Sequence, residues 1–589
     1  MQLDPIAQQT LLSALRNTQS QKLSPTEKLP DPDPLPQDKL SASESSEELS
    51  YKPCPELVGN APGEPATANA TGAASHAAES SEARGVALGT LGEQAREALT
   101  QRGLSTEYSP EALEQVKAIG GPPPIDGPGV RDLRHLAWAS IDNVDTRDID
   151  QLAYAEDLGE GKTRLLVAIA DVAEAVPKDS AIDLQARHNT VTVYTTGRVF
   201  NMLPEQLSTD WTSLGPGVDR RALVTEMVVN AEGRVESWQV YQAAVHNRAK
   251  LAYTTVSSWL EGESEAPPAV SQVPGMDEQV RLQIEVGQRL GRAAAERGAL
   301  EFEADRVLPV VQDGRLVDLV EEKKNLASEA VAHMMIATNT ANAAFLHQKG
   351  FPVFQRVVEP PQRWDRMREV AVKAASELPD GKEMPSELAI LPPQPDPAAL
   401  SRFLRELKQR DPKAYPEVSG SLLKLMGGGD YVVTPPGHPL KGHFGQGVLG
   451  GEVGYVHSTA PNRRLPDIVI QRMIKAATLD QPCPYTAEEL QALAEQCNQQ
   501  ESAAKGAERQ VRKAAVAQYL TSQVGQQFEA AVTGCSAKKG VFIKVLDPPI
   551  EGKLVEGVGD LDVGDHLRVE LRRVDPDKGH IDFVPVQSQ

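Results

Sequence analysis

The sequence has few cysteines, few aromatic residues and no long apolar run, and each scarcity excludes a class of protein. The four cysteines among 589 residues form no CxxC pair, which argues against a disulfide framework or a zinc site and favours a reducing compartment. No run approaches about 18 apolar residues, so no membrane span is predicted. The opening residues, MQLDP, lack the basic flank and apolar core of a secretory signal. We therefore expect a cytoplasmic protein.

The chain also has no excess of basic over acidic residues. The formal net charge is −22 and the pI about 5.1, which argues against a general nucleic-acid coat, because such proteins have a basic footprint. A local basic channel stays compatible with this balance, since clefts focus their own electrostatic field. Hydrophobic residues make up 40% of the chain, enough for a sizeable core, and the length predicts several domains.

The N-terminal part divides into a tail and a lead-in region. Residues 1–85 are rich in Pro, Ser, Ala and acidic residues, and such a composition predicts disorder, because it buries too little apolar surface to offset chain entropy. Residues 86–130 predict a short helical lead-in. There Ser109 followed by Pro110 marks a helix start, with serine at the N-cap and proline at the first helical position.

Strands and helices then alternate in the way that predicts an α+β protein. Two β-rich runs within residues 222–240 flank a short polar turn, which is typical of a hairpin. Helical periodicity follows at residues 276–299 and 323–348, with further helices to about residue 524. The last 60 or so residues change to about five short strands, which favours a small barrel of the OB type.

An acidic segment interrupts the first strands. Residues 141–152 read IDNVDTRDIDQL and hold four aspartates in nine positions, and a neighbouring apolar strand ends at Asp171. Carboxylates crowded at strand ends repel one another unless a cation lies among them, and magnesium prefers oxygen ligands. An EF-hand loop is excluded, because the sixth-position glycine and twelfth-position glutamate are missing. The segment indicates metal-assisted phosphoryl chemistry, with a solvated acidic turn as the alternative.

Two arginines and a tyrosine further along the chain each have a functional and a structural interpretation. Arg463 and Arg464 could capture phosphate, because a guanidinium offers a planar fork to two oxygens, or could form an exposed basic turn. Tyr194 could stack on a base or pack within its strand. His443 and His457 are interpreted most simply as structural loop histidines.

Several motifs in order resemble one known family. They are D-x5-D-I-D from Asp142 to Asp150, VAIADV at 167–172, NMLPEQLS at 201–208, GHFGQG at 442–447 and TAPNRRLPD at 459–467. Together they resemble the catalytic RNB domain of the RNase II/RNase R exoribonucleases, and the last is similar to that family's T-S-P-I-R-R-Y-x-D element. The part after about Gln527 resembles the family's C-terminal S-one-type RNA-binding domain.

The resemblance implies a fold and an activity. We expect an RNB catalytic domain at residues 131–525, in which a mixed sheet and surrounding helices enclose an RNA channel, and an OB-fold RNA-binding domain at 526–589. The implied activity is a magnesium-dependent, hydrolytic 3′→5′ exoribonuclease that degrades single-stranded RNA processively to nucleoside 5′-monophosphates. A monomer that binds the 3′ end of single-stranded RNA is expected.

The resemblance also implies roles for single residues. Two magnesium ions, with manganese as a substitute, are expected at a site formed by Asp142, Asp148, Asp150 and Gln151. Asp150 and Arg463 are the expected catalytic residues, and Tyr194 is expected to pack against the 3′-terminal nucleotide. The full set of expected RNA contacts is Tyr194, Arg463, Arg464 and Phe542.

Some positions depart from the family pattern. Gln151 replaces the usual fourth acid of the acidic segment, so weaker binding of one metal is expected. Ala460, Asn462 and Leu465 replace the usual Ser, Ile and Tyr of the later motif. The motifs place no second aromatic against the terminal base, and the region before Arg131 is too short for the two cold-shock-type barrels of bacterial relatives. The alternative function is therefore a catalytically weak RNA-binding or regulatory protein.

Overall fold

The computed structural model describes most of the chain after the predicted tail. It covers residues 86–586 with seven short gaps, which are 304–306, 313–314, 322–323, 380–381, 537–539, 557–560 and 562–564. The disorder predicted for residues 1–85 lies outside the described residues. Among the helices described, none is long and apolar enough to cross a membrane.

Helices form the larger part of the described regular structure. In chain order they are α1 (Leu88–Thr100), α2 (Pro110–Ile119), α3 (Val172–Ala175), α4 (Ala181–Asn189), α5 (Tyr253–Leu260), α6 (Pro268–Ser271), α7 (Met276–Arg297), α8 (Leu326–Gln348), α9 (Trp364–Ser376), α10 (Ser386–Ala389), α11 (Pro397–Arg410), α12 (Tyr415–Met426), α13 (Leu465–Thr478) and α14 (Ala487–Leu520). The predicted start of α2 is confirmed, because Ser109 Oγ accepts a hydrogen bond from Ala112 N and Pro110 is the first helical residue.

The strands of the described residues form five separate sheets. In chain order they are β1 (Val86–Ala87), β2 (Val130–Asp132), β3 (Trp138–Asp142), β4 (Gln151–Gly159), β5 (Lys162–Ala170), β6 (Val193–Thr195), β7 (Arg198–Phe200), β8 (Asp219–Val229), β9 (Val235–Ala252), β10 (Val307–Gln312), β11 (Arg315–Glu321), β12 (Val353–Val357), β13 (Asp430–Thr434), β14 (Gln527–Ser536), β15 (Gly540–Val545), β16 (Glu551–Leu554), β17 (His566–Asp575) and β18 (His580–Pro585).

The largest sheet is mixed and six-stranded, in the order β2-β9-β3-β4-β5-β8. The predicted hairpin is confirmed as β8–β9, and β9 continues past it to pair in parallel with β3. Strand β9 therefore pairs with β8 through its first two thirds and with β3 through its last third, so the sheet curls back on itself. Residues 165–170 of β5 are buried on both faces, as expected for a continuous apolar run in the sheet interior.

Two long helices cover one side of this sheet. Helix α7 packs closely against α8 at Gly287, where a Cβ would lie 2.6 Å from the carbonyl oxygen of Ala330. Helix α8 is apolar around most of its circumference, which is typical of a buried helix. It begins with a capping box in which Asn325 and Ser328 satisfy each other's backbone N–H groups. Its first turns are thereby fixed beside the ends of β3 and β4.

The C-terminal strands form a closed five-stranded barrel, in the order β14-β15-β16-β18-β17. Among the described pairings of the barrel, only that of β16 with β18 is parallel, and this arrangement is that of an OB-type barrel. The barrel core includes Val532, Ile543, Val569 and Phe583, and it continues into Leu520 at the end of α14. The predicted fold, an α+β domain followed by a C-terminal barrel, is confirmed.

Candidate active site

The acidic segment joins two adjacent strands at one end of the large sheet. Asp142 is the last residue of β3, Gln151 is the first residue of β4, and Asp150 immediately precedes it. The strands pair in an antiparallel manner, so their adjoining ends place Asp142 and Asp150 side by side. The carbonyl oxygen of Asp150 accepts a hydrogen bond from Ala170 N at 2.9 Å, which ties the turn to the end of β5.

The Asp142 carboxylate is held by its own turn. It is 1% exposed, and Oδ1 accepts hydrogen bonds from Asn143 N at 2.9 Å and Thr146 Oγ1 at 3.2 Å. Its Oδ2 accepts one from Gln151 Nε2 at 3.3 Å. Gln151 therefore uses its amide, where the family has an acid, to contact a carboxylate that was predicted to bind metal.

Asp150 faces Arg463, the other residue that was predicted to be catalytic. The Asp150 side chain is fully buried, and Arg463 Nε lies 3.9 Å from its Oδ2. The turn before Asp150 is fixed by Ser213, whose hydroxyl accepts from Ile149 N at 2.9 Å and donates to Arg147 O at 2.7 Å. The two residues predicted to be catalytic are thus brought together from distant parts of the chain.

A small cavity opens between these side chains and helix α8. Its volume is about 30 Å³, enough for one or two water-sized groups. Its walls are Asp142, Asp150, Gln151, Tyr253, Ser328, Val331, Ala332, Met335, Thr459 and Arg463. The four α8 residues follow the i, i+3, i+4, i+7 spacing of one helical face, so one face of α8 forms a wall of the cavity.

The predicted set of metal ligands is brought together only in part. Asp142, Asp150 and Gln151 line the cavity, whereas Asp148 is half-buried on the turn and does not line it. Across the residues that the structure describes, no three His, Cys, Asp or Glu side chains form a group that could hold a metal ion. Of the four predicted metal ligands, two carboxylates and one amide line the cavity.

The loop that carries Arg463 is anchored by buried asparagines of α8. Asn339 Oδ1 accepts from Ser458 N at 2.9 Å, and its Nδ2 donates to Tyr455 Oη at 3.2 Å and to Thr459 Oγ1 at 3.4 Å. Asn342 Nδ2 donates to Ser458 Oγ at 2.9 Å. Because each of these polar groups is buried, the network fixes a single position for the loop.

Asn462, the departure from the family's isoleucine, adds a further anchor. It is 1% exposed, and its side-chain amide lies 2.8 Å from Thr212 Oγ1. The same hydroxyl lies 2.8 Å from Leu207 O. Leu207 O and Asn462 Oδ1 both accept from the Thr212 hydroxyl, whose one proton they share.

Arg464, a predicted RNA contact, forms an ion pair inside the protein. Its Nε and one terminal nitrogen donate to the two oxygens of Asp467, each at 2.8 Å. Burial alone would lower the pKa of Arg464, but the Asp467 carboxylate outweighs burial and the pKa is raised. Asp467 Oδ1 also accepts from Ala460 N at 2.8 Å, so the pair closes the loop that bears Arg463.

Replacing Asp467 with asparagine is therefore expected to destabilise the protein strongly. Removing one partner of a buried, hydrogen-bonded ion pair leaves the other charge buried, which costs about 3–5 kcal/mol. Urea unfolding followed by circular dichroism measures the change. Asp365→Asn is the matched control, because Asp365 pairs with Arg368 at an exposed position and should leave the unfolding midpoint unchanged. Equal midpoints for the two variants would disprove a structural role for the Arg464–Asp467 pair.

Asp171 requires a correction. It follows β5, as predicted, but its carboxylate does not line the cavity. Its oxygens accept from Lys475 Nζ at 2.7 and 2.9 Å, and Arg221 Nε lies 3.2 Å away. Asp171 Oδ1 also accepts from Glu174 N at the start of α3. Two cations thus neutralise a helix-capping carboxylate, and Asp171 has a structural role.

The remaining sequence candidates lie outside the cavity. Tyr194 is half-buried on β6, and Thr192 N, two residues earlier, donates to Arg463 O at 2.9 Å. Phe542 is 39% exposed on the barrel surface and pairs across strands with Lys553. The structural interpretation of His443 and His457 is confirmed, since both are buried and His457 Nδ1 lies 2.8 Å from Tyr431 Oη.

Sequence reasoning missed the residues that complete the cavity wall. Tyr253 begins α5, and Ser328 and Met335 belong to α8. The sequence of these segments predicts ordinary helices. The i, i+3, i+4, i+7 spacing of the α8 residues is the one signal that indicates a shared wall. Asn339 offered one local signal, because a polar residue within an apolar helix must find a buried partner.

Two family models match the chain. The model of the RNB domain matches residues 130–480, and the model of the RNase II-type exonuclease C-terminal S1 domain matches residues 526–586. The first match contains the cavity residues that were predicted from the motifs, and the second covers the five-stranded barrel.

Curated proteins that are similar in sequence include ribonuclease R enzymes. Ribonuclease R of Vibrio parahaemolyticus is 29% identical over 517 residues, which cover 81% of this chain and 59% of that protein. The chain thus spans about 60% of the length of the curated relatives that it matches.

Solved structures share the fold at low sequence identity. Mycoplasma genitalium RNase R in complex with ribose methylated single-stranded RNA has a TM-score of 0.71 at 20% identity, over 84% of this chain and 78% of that one. Yeast Ssd1, described as a pseudonuclease, has a TM-score of 0.57 at 18% identity, over 78% of this chain and 55% of that one. These likenesses concern the fold alone. With the RNB model matching more than half of its residues, the chain belongs to the RNB-domain family of the RNase II/RNase R type.

Proposed function

We propose that this chain is a hydrolytic 3′→5′ exoribonuclease, which degrades single-stranded RNA processively to nucleoside 5′-monophosphates. The observation that carries the proposal is the convergence of Asp142, Asp150 and Arg463 on one buried cavity. Buried carboxylates beside a guanidinium are suited to phosphoryl transfer, in which charge must be neutralised and groups positioned.

The donor set fits one hard cation. Both carboxylates are buried within the same small cavity, and oxygen donors of this kind are those that magnesium prefers. Asp142 and Asp150 would hold Mg²⁺, with Mn²⁺ as a substitute, and the Gln151 amide oxygen could add a neutral ligand after rotation of its side chain. RNB-domain exoribonucleases generally depend on a divalent metal. A bound ion of this type acidifies water and neutralises a phosphoryl group. A second ion, as expected from the family, would need Asp148 to turn inward.

Arg463 is the residue that neutralises the phosphate next to the scissile bond in this proposal. Its side chain is only 12% exposed, so its charge acts in surroundings that exclude most water and is weakly screened. The asparagine network and the Arg464–Asp467 pair fix the loop on which it lies. A charge positioned before the reaction stabilises developing negative charge without reorganisation.

Substrate contacts outside the cavity extend the proposal. Tyr194 would pack against the 3′-terminal nucleotide, and the exposed ring of Phe542 would contact RNA on the barrel, since every base offers a face for stacking. We propose a catalytic domain at residues 131–525 and an RNA-binding domain at 526–589, following the lead-in at 86–130. The protein would act as a monomer in the cytoplasm.

The chemical nature of the product tests the reaction type. Single-stranded RNA incubated with the purified protein and Mg²⁺ should release nucleoside 5′-monophosphates from the first time point. Running a duplex with a 3′ single-stranded tail beside it shows where degradation stops. A 3′-phosphate on the products would show that the other P–O bond is cleaved, and a 2′,3′-cyclic phosphate would show attack by the 2′-hydroxyl; either result would overturn the proposal.

One observation favours the alternative, a catalytically weak RNA-binding protein. Gln151 donates a hydrogen bond to Asp142 Oδ2 at 3.3 Å, so it occupies one oxygen of an expected metal ligand and adds no negative charge. Yeast Ssd1, which shares the fold, is described as a pseudonuclease. We favour the enzyme, because Asp142, Asp150 and Arg463 are all retained in one cavity.

The variant Gln151→Asp separates the two functions. For an enzyme, the added charge should lower the Mg²⁺ concentration for half-maximal activity about tenfold, because unit charges near a divalent ion interact strongly. For a weak binder, the same change should create RNA degradation where the wild type has none. Magnesium titration of the initial rate distinguishes these results. Gln151→Asn is the matched control, because it shortens the side chain equally and leaves it neutral.

A further inference from the structure

The strand that carries Tyr194 belongs to a small hairpin outside the large sheet. The pair β6–β7 has three residues in each strand and forms a sheet of its own. An isolated two-stranded hairpin is marginal in water. The position of Tyr194 therefore depends on the groups that surround the hairpin rather than on the hairpin itself.

One end of the hairpin is held by Tyr108, which lies between α1 and α2. The Tyr108 hydroxyl lies 3.0 Å from Asn201 O and 2.8 Å from Leu203 O, just after β7. Both carbonyl oxygens accept from this one hydroxyl, whose proton they share. Burial raises the pKa of Tyr108 well above its usual value, so the hydroxyl keeps the proton that it donates.

At the same open end, the chain segment that enters the hairpin is held by the backbone of Ser105. Ser105 N donates to Asn189 Oδ1 and Asn189 Nδ2 donates to Ser105 O, both at 2.8 Å. Asn189 is 4% exposed and ends α4, shortly before β6. Two reciprocal hydrogen bonds thus fix the chain as it enters the hairpin, as Tyr108 fixes it where it leaves.

Apolar packing and one carboxylate complete the enclosure. Val193 and Phe200 of the hairpin share a buried cluster with α1 and α14, whose members there include Ala98, Leu99, Ala507 and Val511. From α14, Glu508 Oε1 accepts a hydrogen bond from Tyr194 N at 2.9 Å. The hairpin is therefore enclosed between the lead-in helix and α14, and Glu508 fixes the backbone at Tyr194 itself.

These contacts have a direct connection to the cavity. Thr192 N donates to Arg463 O, and Val191 forms a bridge with Arg464. The hairpin and the Arg463 loop are therefore bonded to each other. Any shift of the hairpin along its axis changes the distance between Tyr194 and Arg463, which are the groups proposed to hold the last nucleotide and the phosphate next to it.

We infer that residues 88–119, through Ser105 and Tyr108, act with Glu508 as positioning residues that set Tyr194 relative to Arg463 for the RNA 3′ end. The inference rests on the proposed function. Tyr108, Ser105 and Glu508 lie outside both matched ranges, 130–480 and 526–586. The inference therefore assigns the lead-in region a role in RNA binding.

Tyr108→Phe and Glu508→Ala test the inference from opposite sides of the hairpin. Each removes one anchor, so the KM for single-stranded RNA should rise about fivefold, the factor expected from one lost hydrogen bond. The kcat should stay within about twofold, because the cavity is untouched. Glu508→Gln should restore the wild-type KM, since its amide oxygen still accepts from Tyr194 N. Tyr485→Phe removes another buried hydroxyl, bonded to Arg472, and controls for a general loss of stability.

A spectroscopic readout distinguishes positioning from a structural effect. RNA with 2-aminopurine as its 3′-terminal nucleotide is bound in EDTA, where stacking on Tyr194 would quench the fluorescence. Tyr194→Ala should remove the quenching, and Tyr108→Phe and Glu508→Ala should reduce it.

Three results would overturn the inference, and they are distinguishable. Changes with Tyr194→Ala but none with Tyr108→Phe and Glu508→Ala disprove the positioning role and leave the proposed function intact. No change with Tyr194→Ala removes the RNA contact on which the inference depends. A wild type that releases no mononucleotide contradicts the proposed function itself.

Discussion

Asp150→Asn is expected to lower the rate of mononucleotide release about 10²–10³-fold, the range seen when a group that stabilises charge at a reacting centre is removed. The substitution keeps the shape of the side chain and removes its charge. Asp150 is fully buried and faces Arg463 Nε at 3.9 Å. Its backbone bond to Ala170 N is unaffected, so the fold of the turn should persist.

Single-turnover assays measure this effect without interference from product release. Single-stranded RNA labelled at its 3′ nucleotide is mixed with excess protein, and affinity is measured separately by mobility shift in EDTA. The affinity of Asp150→Asn should stay near that of the wild type. Asp157→Asn is the matched control, because Asp157 is exposed towards the far end of the same strand, β4. A variant Asp150→Asn within about tenfold of the wild-type rate would remove Asp150 from the mechanism.

Arg463→Ala is expected to lower kcat about 10²–10³-fold, the cost of losing one positioned charge at a developing oxyanion. Arg463→Lys should recover only part of the rate, because an ammonium keeps the charge but lacks the planar fork that grips two phosphate oxygens. Both variants should keep the folded loop, since Arg464 and Asp467 anchor it independently.

The matched control for Arg463 is Arg366→Ala, which removes an exposed arginine on α9 that pairs only with its helical neighbour Glu369 among the contacts described. Its kcat should equal that of the wild type. Measuring kcat and KM for each variant separates a role in chemistry from one in binding. If Arg463→Ala raised KM alone, Arg463 would be a binding residue, and the proposed stabilisation of the transition state would be wrong.

Much of the fold could be predicted because its signals are local. The start of α2 depends on Ser109 and Pro110, and the β8–β9 hairpin on a polar turn between two β-rich runs. The barrel was visible as short strands separated by turns. The pairing of Asp150 with Arg463 was accessible only through the family motifs, because no local pattern connects residues so far apart in the chain.

Sequence reasoning was incomplete where a distant partner decides the role of a residue. Arg463 and Arg464 are adjacent and chemically identical, yet the second is bound by Asp467. Asp171 lies at a strand end, like a metal ligand, and is neutralised by Lys475 and Arg221 from other elements. Sequence spacing alone does not reveal which carboxylates the fold pairs internally.

The cavity wall and the hairpin anchors show the same limit. Tyr253 and Ser328 line the cavity because α5 and α8 pack at the end of β3. Tyr108 looks like an ordinary residue between two helices, and its role depends on the carbonyl oxygens of Asn201 and Leu203. Such contacts follow from tertiary packing, which a pattern of residue types does not encode.

The most direct test of the central claim compares wild type with Asp150→Asn on one RNA labelled at its 3′ nucleotide, in Mg²⁺. The claim is that Asp142, Asp150 and Arg463 form a hydrolytic centre that acts on a 3′ end. It predicts that the wild type releases the label at once as a nucleoside 5′-monophosphate, whereas the variant binds the RNA and releases almost none. Equally slow release by both proteins, or label that first appears in longer fragments, would contradict it.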